Sequence, residues 1–307
     1  MYSIIEKYLG LIRFSHTLFA LPFALLSATM ALKLNLMQEP SISPRWTDGL
    51  GILCCMVFAR SAAMGFNRWA DRKIDAENPR TAGRHLPAGV LSARNVLVFV
   101  LLSSFGFIVS TLIFLPNTIP IVASVPVLLF LFGYSYAKRW TVTAHFWLGA
   151  SLMLAPMAAW IVVRPIVFSW QALPVPWPPV LLGLAVMFWS AGFDLIYATQ
   201  DADHDAQAGL FSVPGRLGIP ATFRLAAVCH VLSVLLFAAI PLVYEPFGVI
   251  FWCGTGVVAL ILVAEHFLAT PRRDKMLDLE KVNVAFFQMN AVVSLGLLVI
   301  GMIDLFF

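Results

Sequence analysis

Long apolar runs alternate with short polar connections along almost the whole chain. About nine runs, centred near residues 25, 57, 104, 127, 154, 187, 231, 258 and 296, are long enough to cross a bilayer, which takes roughly 20 predominantly apolar residues. Of the 307 residues, 60% are hydrophobic and 12% charged, and the mean hydropathy is +0.87, which excludes an ordinary soluble domain. The pattern predicts an all-α membrane protein with about nine transmembrane helices, in one bundle and one domain over residues 1–307.

The segment before the first run, residues 1–16, has mixed polarity and no small-residue cleavage site, so no cleavable signal peptide is expected. Its apolar residues recur at helical spacing among Glu6, Lys7 and Arg13. This pattern predicts an interfacial helix that lies on the membrane before the first crossing.

Lysine and arginine are concentrated before the first run and in the connections that follow even-numbered runs. Those connections include Arg68, Arg72, Lys73, Arg80, Arg84, Arg94, Lys138, Arg139, Arg216, Arg224, Arg272, Arg273, Lys275 and Lys281. The opposite side keeps only Lys33, Arg45 and Arg164. By the positive-inside rule, the N-terminus and the even-numbered connections are cytoplasmic, which predicts a multi-pass protein of the inner (cytoplasmic) membrane. The same distribution gives no support for nucleic-acid binding.

Two acidic motifs interrupt the apolar pattern, one after the second run and one after the sixth. The first consists of Asn67, Asp71 and Asp75, and the second of Asp194, Tyr197, Asp201 and Asp205. Their matching places suggest a duplicated four-helix unit with a ninth helix closing the bundle. Because both motifs follow even-numbered runs, we expect a central cavity that opens toward the cytoplasmic side.

The spacing within the motifs favours a metal site. Residues four apart lie on one face of a helix, so each motif predicts a polar stripe at a membrane helix end. Gathered carboxylates repel one another, and a divalent cation such as magnesium, which prefers hard oxygen ligands, relieves this repulsion. Several arginines and lysines lie beside the acids, which suits a bound diphosphate. A charged head with a long apolar tail, as in a polyprenyl diphosphate, fits a site at the edge of the membrane.

Three segments resemble the UbiA superfamily of intramembrane aromatic prenyltransferases: NRWADRKIDAENPRTAGRHLPAG from Asn67, DLIYATQDADHD from Asp194, and YSYAKRWT at 134–141. The resemblance extends over essentially the whole chain. It implies magnesium-dependent transfer of a polyprenyl group to an aromatic carboxylic acid in quinone biosynthesis. It also implies that magnesium is held by Asn67, Asp71, Asp75, Asp201 and Asp205. The diphosphate would then be gripped by Arg72, Lys73, Lys138 and Arg139.

Two acceptors stay open at this point. The closest resemblance is to 4-hydroxybenzoate polyprenyltransferases of ubiquinone synthesis and to MqnP-type enzymes of the futalosine route to menaquinone. His85, Leu86 and Pro87 follow Arg84, whereas the ubiquinone enzymes usually have proline directly after that arginine. The segments FSHTLFALPFALL and GFDLIYATQD favour the MqnP-like side slightly. The haem-o synthase branch is disfavoured, because it lacks a second motif of this form.

The positions of three further residues predict chemical roles. Asp194 or a neighbouring carboxylate could accept the phenol or ring proton, and Tyr197 is expected to contact diphosphate or substrate. Arg60 is the permanent cation inside a run, two helical turns before Asn67 on the same face. We predict that Arg60 pairs with the carboxylate of the aromatic acid; the alternative is a structural pair with an acid on a facing helix.

Other polar residues in the runs favour no chemistry. A cation transporter was the competing class of function, but acids that lie at one surface beside arginine and lysine suit a bound anion better. His145, His230 and His266 are interpreted as structural or interfacial. Glu265 is expected to be exposed near a helix end, and Asn290 to form an interhelical hydrogen bond.

Overall fold

The computed structural model describes residues 4–12, 19–38, 45–164, 177–270 and 278–307, and all regular secondary structure within them is helical. The α-helices are α1 (Ile4–Ile12), α2 (Leu21–Met37), α3 (Trp46–Glu77), α4 (Ala93–Thr111), α5 (Ile119–Ala137), α6 (Ala144–Val163), α7 (Trp177–Ala198), α8 (Ala202–Gln207), α9 (Val213–Leu217), α10 (Ile219–Val243), α11 (Val249–Ala269), α12 (Leu279–Val284) and α13 (Asn290–Phe306). Short 3-10 or π segments follow α4, α7 and α12.

The apolar runs form the long helices that the sequence predicts. Within the described ranges, eight helical segments are long and apolar enough to cross a membrane, and α2 is a shorter apolar helix of 17 residues. Large apolar side chains cover outward faces, as on α4, where Leu101, Leu102 and Phe105 are 62%, 65% and 66% exposed. Such faces are stable in lipid and costly in water. The all-α membrane fold is therefore confirmed, while the count of nine spans stays a prediction.

The segment ahead of the first run contains a helix, as its spacing predicts. Ile4 and Ile5 are 70% and 66% exposed, whereas Leu11 and Ile12 are buried against the rest of the molecule. Residues 1–3 and 13–16 of the predicted interfacial helix, and the cations Arg13, Arg272, Arg273 and Lys275, lie outside the described residues. An exposed apolar face on α1 is typical of a helix at a membrane interface.

The backbone divides into two compact units. The first consists of Met1–Thr17 and Arg45–Ala137, and the second of Leu18–Pro44 and Lys138–Phe307. This division differs from the predicted four-helix repeat, because α2 packs against α6 and α13 in the second unit. Two side chains of α2 form hydrogen bonds with α6. The Ser27 hydroxyl donates to the carbonyl of Pro156 at 2.7 Å, and the Asn35 amide donates to the carbonyl of Val163 at 2.9 Å. The single domain and the central cavity stay predictions.

The core of the second unit is built around α7, which packs on α6 and α10. Aromatic rings fill this core: Phe23 lies 5.2 Å from Trp189 and 6.0 Å from Phe237, measured between ring centroids. All three side chains are fully buried. Polar groups also cross between the helices, since Ser233 on α10 donates to the carbonyl of Ala185 on α7 at 2.8 Å. The core therefore holds α7, which carries part of the second motif, from two sides.

Close approach between α6 and α7 depends on a glycine. A Cβ atom at Gly149 would lie 2.4 Å from the carbonyl oxygen of Met187, a distance that real Cβ atoms do not adopt. Small residues permit this kind of backbone contact between membrane helices.

Replacement of Gly149 by alanine should therefore force the two helices apart. We expect a loss of about 1–3 kcal/mol, the usual cost of overpacking. The control is Gly256→Ala, since a Cβ atom there meets nothing within 4 Å. Thermal unfolding in detergent should show a lower Tm for Gly149→Ala and an unchanged or higher Tm for Gly256→Ala. Equal Tm values for the two variants would contradict the packing account.

The prediction for Glu265 was wrong, whereas that for Asn290 is confirmed. Glu265 is fully buried, and the Asn290 amide donates to its Oε1 at 3.3 Å, linking α11 to α13. The same amide donates to the carbonyls of Ala285 and Phe286 next to a π-helical segment, Ala285–Met289. Glu265 lies only four residues from the end of α11, so sequence position suggested exposure, but neighbouring helices cover it.

Candidate functional site

The first motif lies on the last three turns of α3, and its carboxylates face inward. Asp71 and Asp75 are 3% and 4% exposed, and the Asn67 amide donates to Oδ2 of Asp71 at 3.3 Å. The i, i+4 spacing predicts this shared face, and the structure confirms it for these side chains. Burial of two carboxylates at the end of a membrane helix is costly unless cations or donors compensate them.

The chain after α3 folds back toward Asp75. Asn78 precedes a proline and is extended, with φ −92° and ψ 117°, which ends the helix. Its side-chain oxygen accepts from the backbone N–H of Arg80 at 2.9 Å, the turn that asparagine favours. The Thr81 hydroxyl then donates to the carbonyl of Asp75 at 2.9 Å. These bonds hold the following loop against the motif.

The loop delivers Arg84 to the motif. Nη1 of Arg84 lies 2.6 Å from Oδ1 of Asp75, with side-chain exposures of 20% and 5%. The other oxygen, Oδ2 of Asp75, is buried and has no hydrogen-bond partner within the described residues. Arg84 is one of the cations that follow the first motif in sequence, but it is not among the predicted site residues. Only the turn at Asn78 brings its side chain back to Asp75. An Asn-Pro pair directly after the motif is the sequence signal for that return.

A cavity of about 360 Å³ opens beside Arg84 in the first unit. Its lining consists of Gly10, Leu11, Arg68, Arg80, Gly83, Arg84 and His85. Burial, and then the positive charge of Arg68, lower the pKa of His85 below its usual range. The cavity therefore presents arginine rather than histidine charge at neutral pH, which suits an anion.

The other predicted cations of the first motif point elsewhere. Arg72 donates to the carbonyl of Trp69 at 2.6 Å, and its guanidinium lies 4.8 Å from the centroid of that ring. Lys73 is exposed. Neither forms an ion pair with Asp71 or Asp75 in this conformation of the described residues, so their contact with diphosphate stays a prediction.

Arg60 lies within the same helix, about two turns before Asn67. Its Nε is shielded from solvent and has no hydrogen-bond partner among the described residues. In that part of the chain no acidic side chain pairs with Arg60, so the alternative of a structural ion pair has no support there. Arg60 as a whole is half-buried, and a guanidinium can bind a carboxylate in a bidentate manner through its Nε and one Nη atom.

The second motif is not one continuous helix. After α7, a 3-10 turn formed by Thr199–Asp201 leads into α8, so Asp194 and Tyr197 lie on α7 while Asp205 lies on α8. Regular α-helical geometry therefore ends at Ala198, and the prediction that Asp201 and Asp205 share one face with Asp194 and Tyr197 stays a prediction. Asp205 is 9% exposed, whereas Asp203 is exposed. Asp205 thus faces inward, whereas Asp203, two residues earlier, faces outward.

Lys138 lies near the second motif. The Asp205 carboxyl interacts with the hydroxyl of Ser212 and with the charge of Lys138. The backbone N–H of Phe211 donates to the carbonyl of Lys138 at 2.7 Å and fixes this arrangement. Arg139, the next residue, is half-buried. Lys138 thus lies close enough to Asp205 for their charges to interact, and its contact with diphosphate stays a prediction.

Tyr197 packs between aromatic rings. Its ring centroid lies 4.2 Å from that of Phe286 and 6.3 Å from that of Phe287. These rings belong to the π-helical segment before α13. Tyr197 therefore borders an aromatic surface of the second unit, and its contact with substrate stays a prediction.

Asp194 has a partner that the sequence did not reveal. Nδ1 of His145 lies 2.7 Å from its Oδ2, although the two residues are 49 positions apart. His145 is the second residue of α6 and was interpreted as structural or interfacial. Only the antiparallel packing of α6 on α7 creates the pair, so residue spacing carried no signal for it.

The donor atoms of the first motif fit magnesium in type. Two buried carboxylates and an amide supply hard oxygens, and no described residue forms a competing hydrogen bond with Oδ2 of Asp75. In residues 4–12, 19–38, 45–164, 177–270 and 278–307, no three His, Cys, Asp or Glu side chains are grouped closely enough to hold a metal ion. The predicted convergence of ligands therefore stays a prediction, while the chemistry of the available oxygens suits the ion.

Comparison with known proteins gives a consistent result. The profile of the UbiA prenyltransferase family matches residues 17–290. A 4-hydroxybenzoate octaprenyltransferase of Xanthomonas oryzae pv. oryzae is 32% identical over 235 residues, 75% of this chain and 73% of the relative. The apo structure of a UbiA homolog from Aeropyrum pernix K1 is 30% identical and has a TM-score of 0.79, covering 94% of this chain and 97% of that one. A UbiA homolog from Archaeoglobus fulgidus bound to GPP and Mg²⁺ has a TM-score of 0.73 over 97% and 99% of the two chains; at 17% identity it shows the fold alone.

Proposed function

Because the chain belongs to the UbiA prenyltransferase family, we propose that it transfers a polyprenyl group from polyprenyl diphosphate to an aromatic acid of the 4-hydroxybenzoate type. The observation that carries this proposal is the pair of buried carboxylates, Asp71 and Asp75, with Arg84 bound at 2.6 Å, at the end of a membrane-length helix. A site of this kind takes a charged head group from a substrate whose tail stays in lipid. The relative's acceptor supports the choice of aromatic acid.

The residues proposed to hold magnesium are Asn67, Asp71, Asp75, Asp201 and Asp205. When bound there, magnesium would neutralise the oxygens of the departing diphosphate. The chain's own cations would add to this effect: Arg84 beside Asp75, Lys138 beside Asp205, and the further predicted cations Arg72, Lys73 and Arg139. We place Arg84 in this group on its geometry, in addition to the cations that the sequence predicted.

The reaction breaks the bond between the donor's allylic carbon and its bridging oxygen, and diphosphate leaves with the electron pair. A ring carbon of the aromatic acid then attacks the allylic carbon, and the ring loses one proton. Asp194 is the proposed proton acceptor, and Tyr197 borders the reacting groups. Arg60 binds the acceptor's carboxylate, which its unpaired Nε supports. No covalent bond to the protein forms.

The same chemistry on a futalosine-route aromatic acid is the second candidate. The observation in its favour is the departure at His85, Leu86 and Pro87, whose loop lines the cavity beside Arg84. Transport of cations has no such support, because the chain belongs to a family of prenyltransferases. We further propose that the protein lies in the inner membrane with its site toward the cytoplasm, since the Lys and Arg distribution favours that orientation.

To test the proposed function, purified protein is incubated with geranyl diphosphate, magnesium and one of two acids, 4-hydroxybenzoate or a futalosine-route aromatic acid. Each reaction is run with and without EDTA. Mass spectrometry should find a ring-prenylated acid whose formation stops with EDTA and returns with excess magnesium. Product from 4-hydroxybenzoate supports the ubiquinone-type acceptor, whereas product from a futalosine-route acid alone moves the enzyme to menaquinone synthesis. Absence of product from both acids, with diphosphate release also absent, would refute the proposal.

A further inference from the structure

We propose that His145 is a positioning residue that holds the Asp194 carboxylate in the orientation that accepts the proton released by the aromatic acceptor. This inference rests on the proposed function and assigns a role to a residue outside both acidic motifs. It is carried by the bond of 2.7 Å between Nδ1 of His145 and Oδ2 of Asp194.

The pair is enclosed by protein. The side chains of His145 and Asp194 are 6% and 17% exposed. The imidazole is therefore almost completely covered, whereas part of the carboxylate is still accessible from outside the protein. The glycine one turn after His145, Gly149, brings the backbones of α6 and α7 together. The close packing of the two helices fixes the separation between donor and acceptor, which a partner on a mobile side chain would not do.

The second ring nitrogen indicates the direction of the hydrogen bond. Nε2 of His145 is buried and has no hydrogen-bond partner among the described residues. A proton on Nε2 would leave a buried donor unpaired, which is costly. The tautomer with its proton on Nδ1 avoids that cost and donates to Asp194. Asp194 therefore receives a hydrogen bond that fixes the orientation of its carboxylate.

The free oxygen of the carboxylate is then available to the acceptor. Oδ2 accepts from His145, so Oδ1 is the atom that would take the proton. An imidazole that orients a carboxylate in this way raises the rate of proton transfer, because it limits rotation of the carboxylate. Loss of such orientation typically lowers the rate of the step by about 10-fold or more. The effect should fall on the step after diphosphate departure, because the pair includes no group that holds the diphosphate.

The test compares His145→Asn with His145→Leu. The side-chain N–H of asparagine occupies nearly the place of Nδ1 and can donate to Asp194, whereas leucine has similar bulk and no donor. We expect His145→Leu to lower kcat by about 10–100-fold with the acceptor's KM little changed, and His145→Asn to recover most of that loss. Release of diphosphate from the donor should persist in both variants, with more of the prenyl group trapped by water as the alcohol.

Ser233→Ala serves as the matched control, since it also removes one buried hydrogen bond to α7. It should lower Tm as much as His145→Leu does and leave kcat unchanged. Wild-type kcat in His145→Leu would overturn the positioning role, and so would equal losses of kcat in the Asn and Leu variants. An inactive wild type would instead refute the proposed function, and with it the inference that depends on it.

Discussion

Replacement of Asp75 by asparagine should lower kcat/KM for prenyl transfer by about 10²–10³-fold, the usual range for a charged group that stabilises a departing anion. Asparagine keeps the shape of the side chain and removes its charge. Asp75 is buried and holds Arg84 through Oδ1, while its Oδ2 has no partner in the part of the chain that the structure describes. The variant would lose a hard oxygen ligand and release the guanidinium from its present position. Steady-state rates with geranyl diphosphate and the active acid measure the effect.

The control for this variant is Asp48→Asn, which removes a carboxylate from the opposite end of the same helix. Asp48 is half-buried and pairs with an exposed arginine, Arg45, at 3.6 Å, so the pair is partly in solvent and contributes little. Asp48→Asn should keep wild-type activity, and both variants should give folded protein by circular dichroism and size-exclusion chromatography. Activity of Asp75→Asn within about 3-fold of wild type would show that the first motif does not serve the reaction.

The second large effect concerns Arg60. We expect Arg60→Gln to raise the KM for the aromatic acid by about 10–100-fold, while the KM for the prenyl donor stays nearly constant. A rise of this size is the usual effect of losing charge-assisted hydrogen bonds between a guanidinium and a carboxylate. The reason is the position of Arg60 on α3, about two turns before Asn67 and on the same face as the first motif. Its Nε is shielded from solvent and has no hydrogen-bond partner among the described residues. Arg60→Lys keeps the charge and loses the planar fork, so it should fall between wild type and Arg60→Gln.

An uncharged acceptor sharpens this test. The methyl ester of the active acid has no carboxylate, so wild type should prefer the acid strongly and Arg60→Gln should treat acid and ester almost alike. Substituting the arginine should therefore change the KM for the ester very little. An equal rise in the KM values for acid, ester and donor would show that Arg60 has a structural role instead.

The sequence predicted the parts of this molecule that depend on local pattern. Apolar runs of membrane length became helices, because in lipid the backbone must satisfy its own hydrogen bonds. The spacing of Asn67, Asp71 and Asp75 placed their side chains on one face, since α3 continues without a break through Glu77. Both predictions required only the geometry of one helix.

Features that depend on distant packing were missed. His145 meets Asp194 across 49 residues because α6 packs on α7, and Glu265 is buried because other helices cover the end of α11. The regular spacing of the second motif predicted one helix, yet the 3-10 turn at Thr199–Asp201 interrupts it. Residue spacing describes one helix, whereas these contacts depend on the relative placement of several.

The central claim is that both acidic motifs serve one magnesium-dependent donor step. Calorimetry with a non-reacting donor, geranyl S-thiolodiphosphate, tests it in wild type, Asp75→Asn, Asp205→Asn and the double variant, each with and without magnesium. Wild type should bind this donor tightly only with magnesium, and each single variant should bind it at least about 10-fold more weakly. The double variant should bind it little more weakly than the weaker single variant, because substitutions within one site are not additive. Equal affinity with and without magnesium, or losses that simply add in the double variant, would contradict the account.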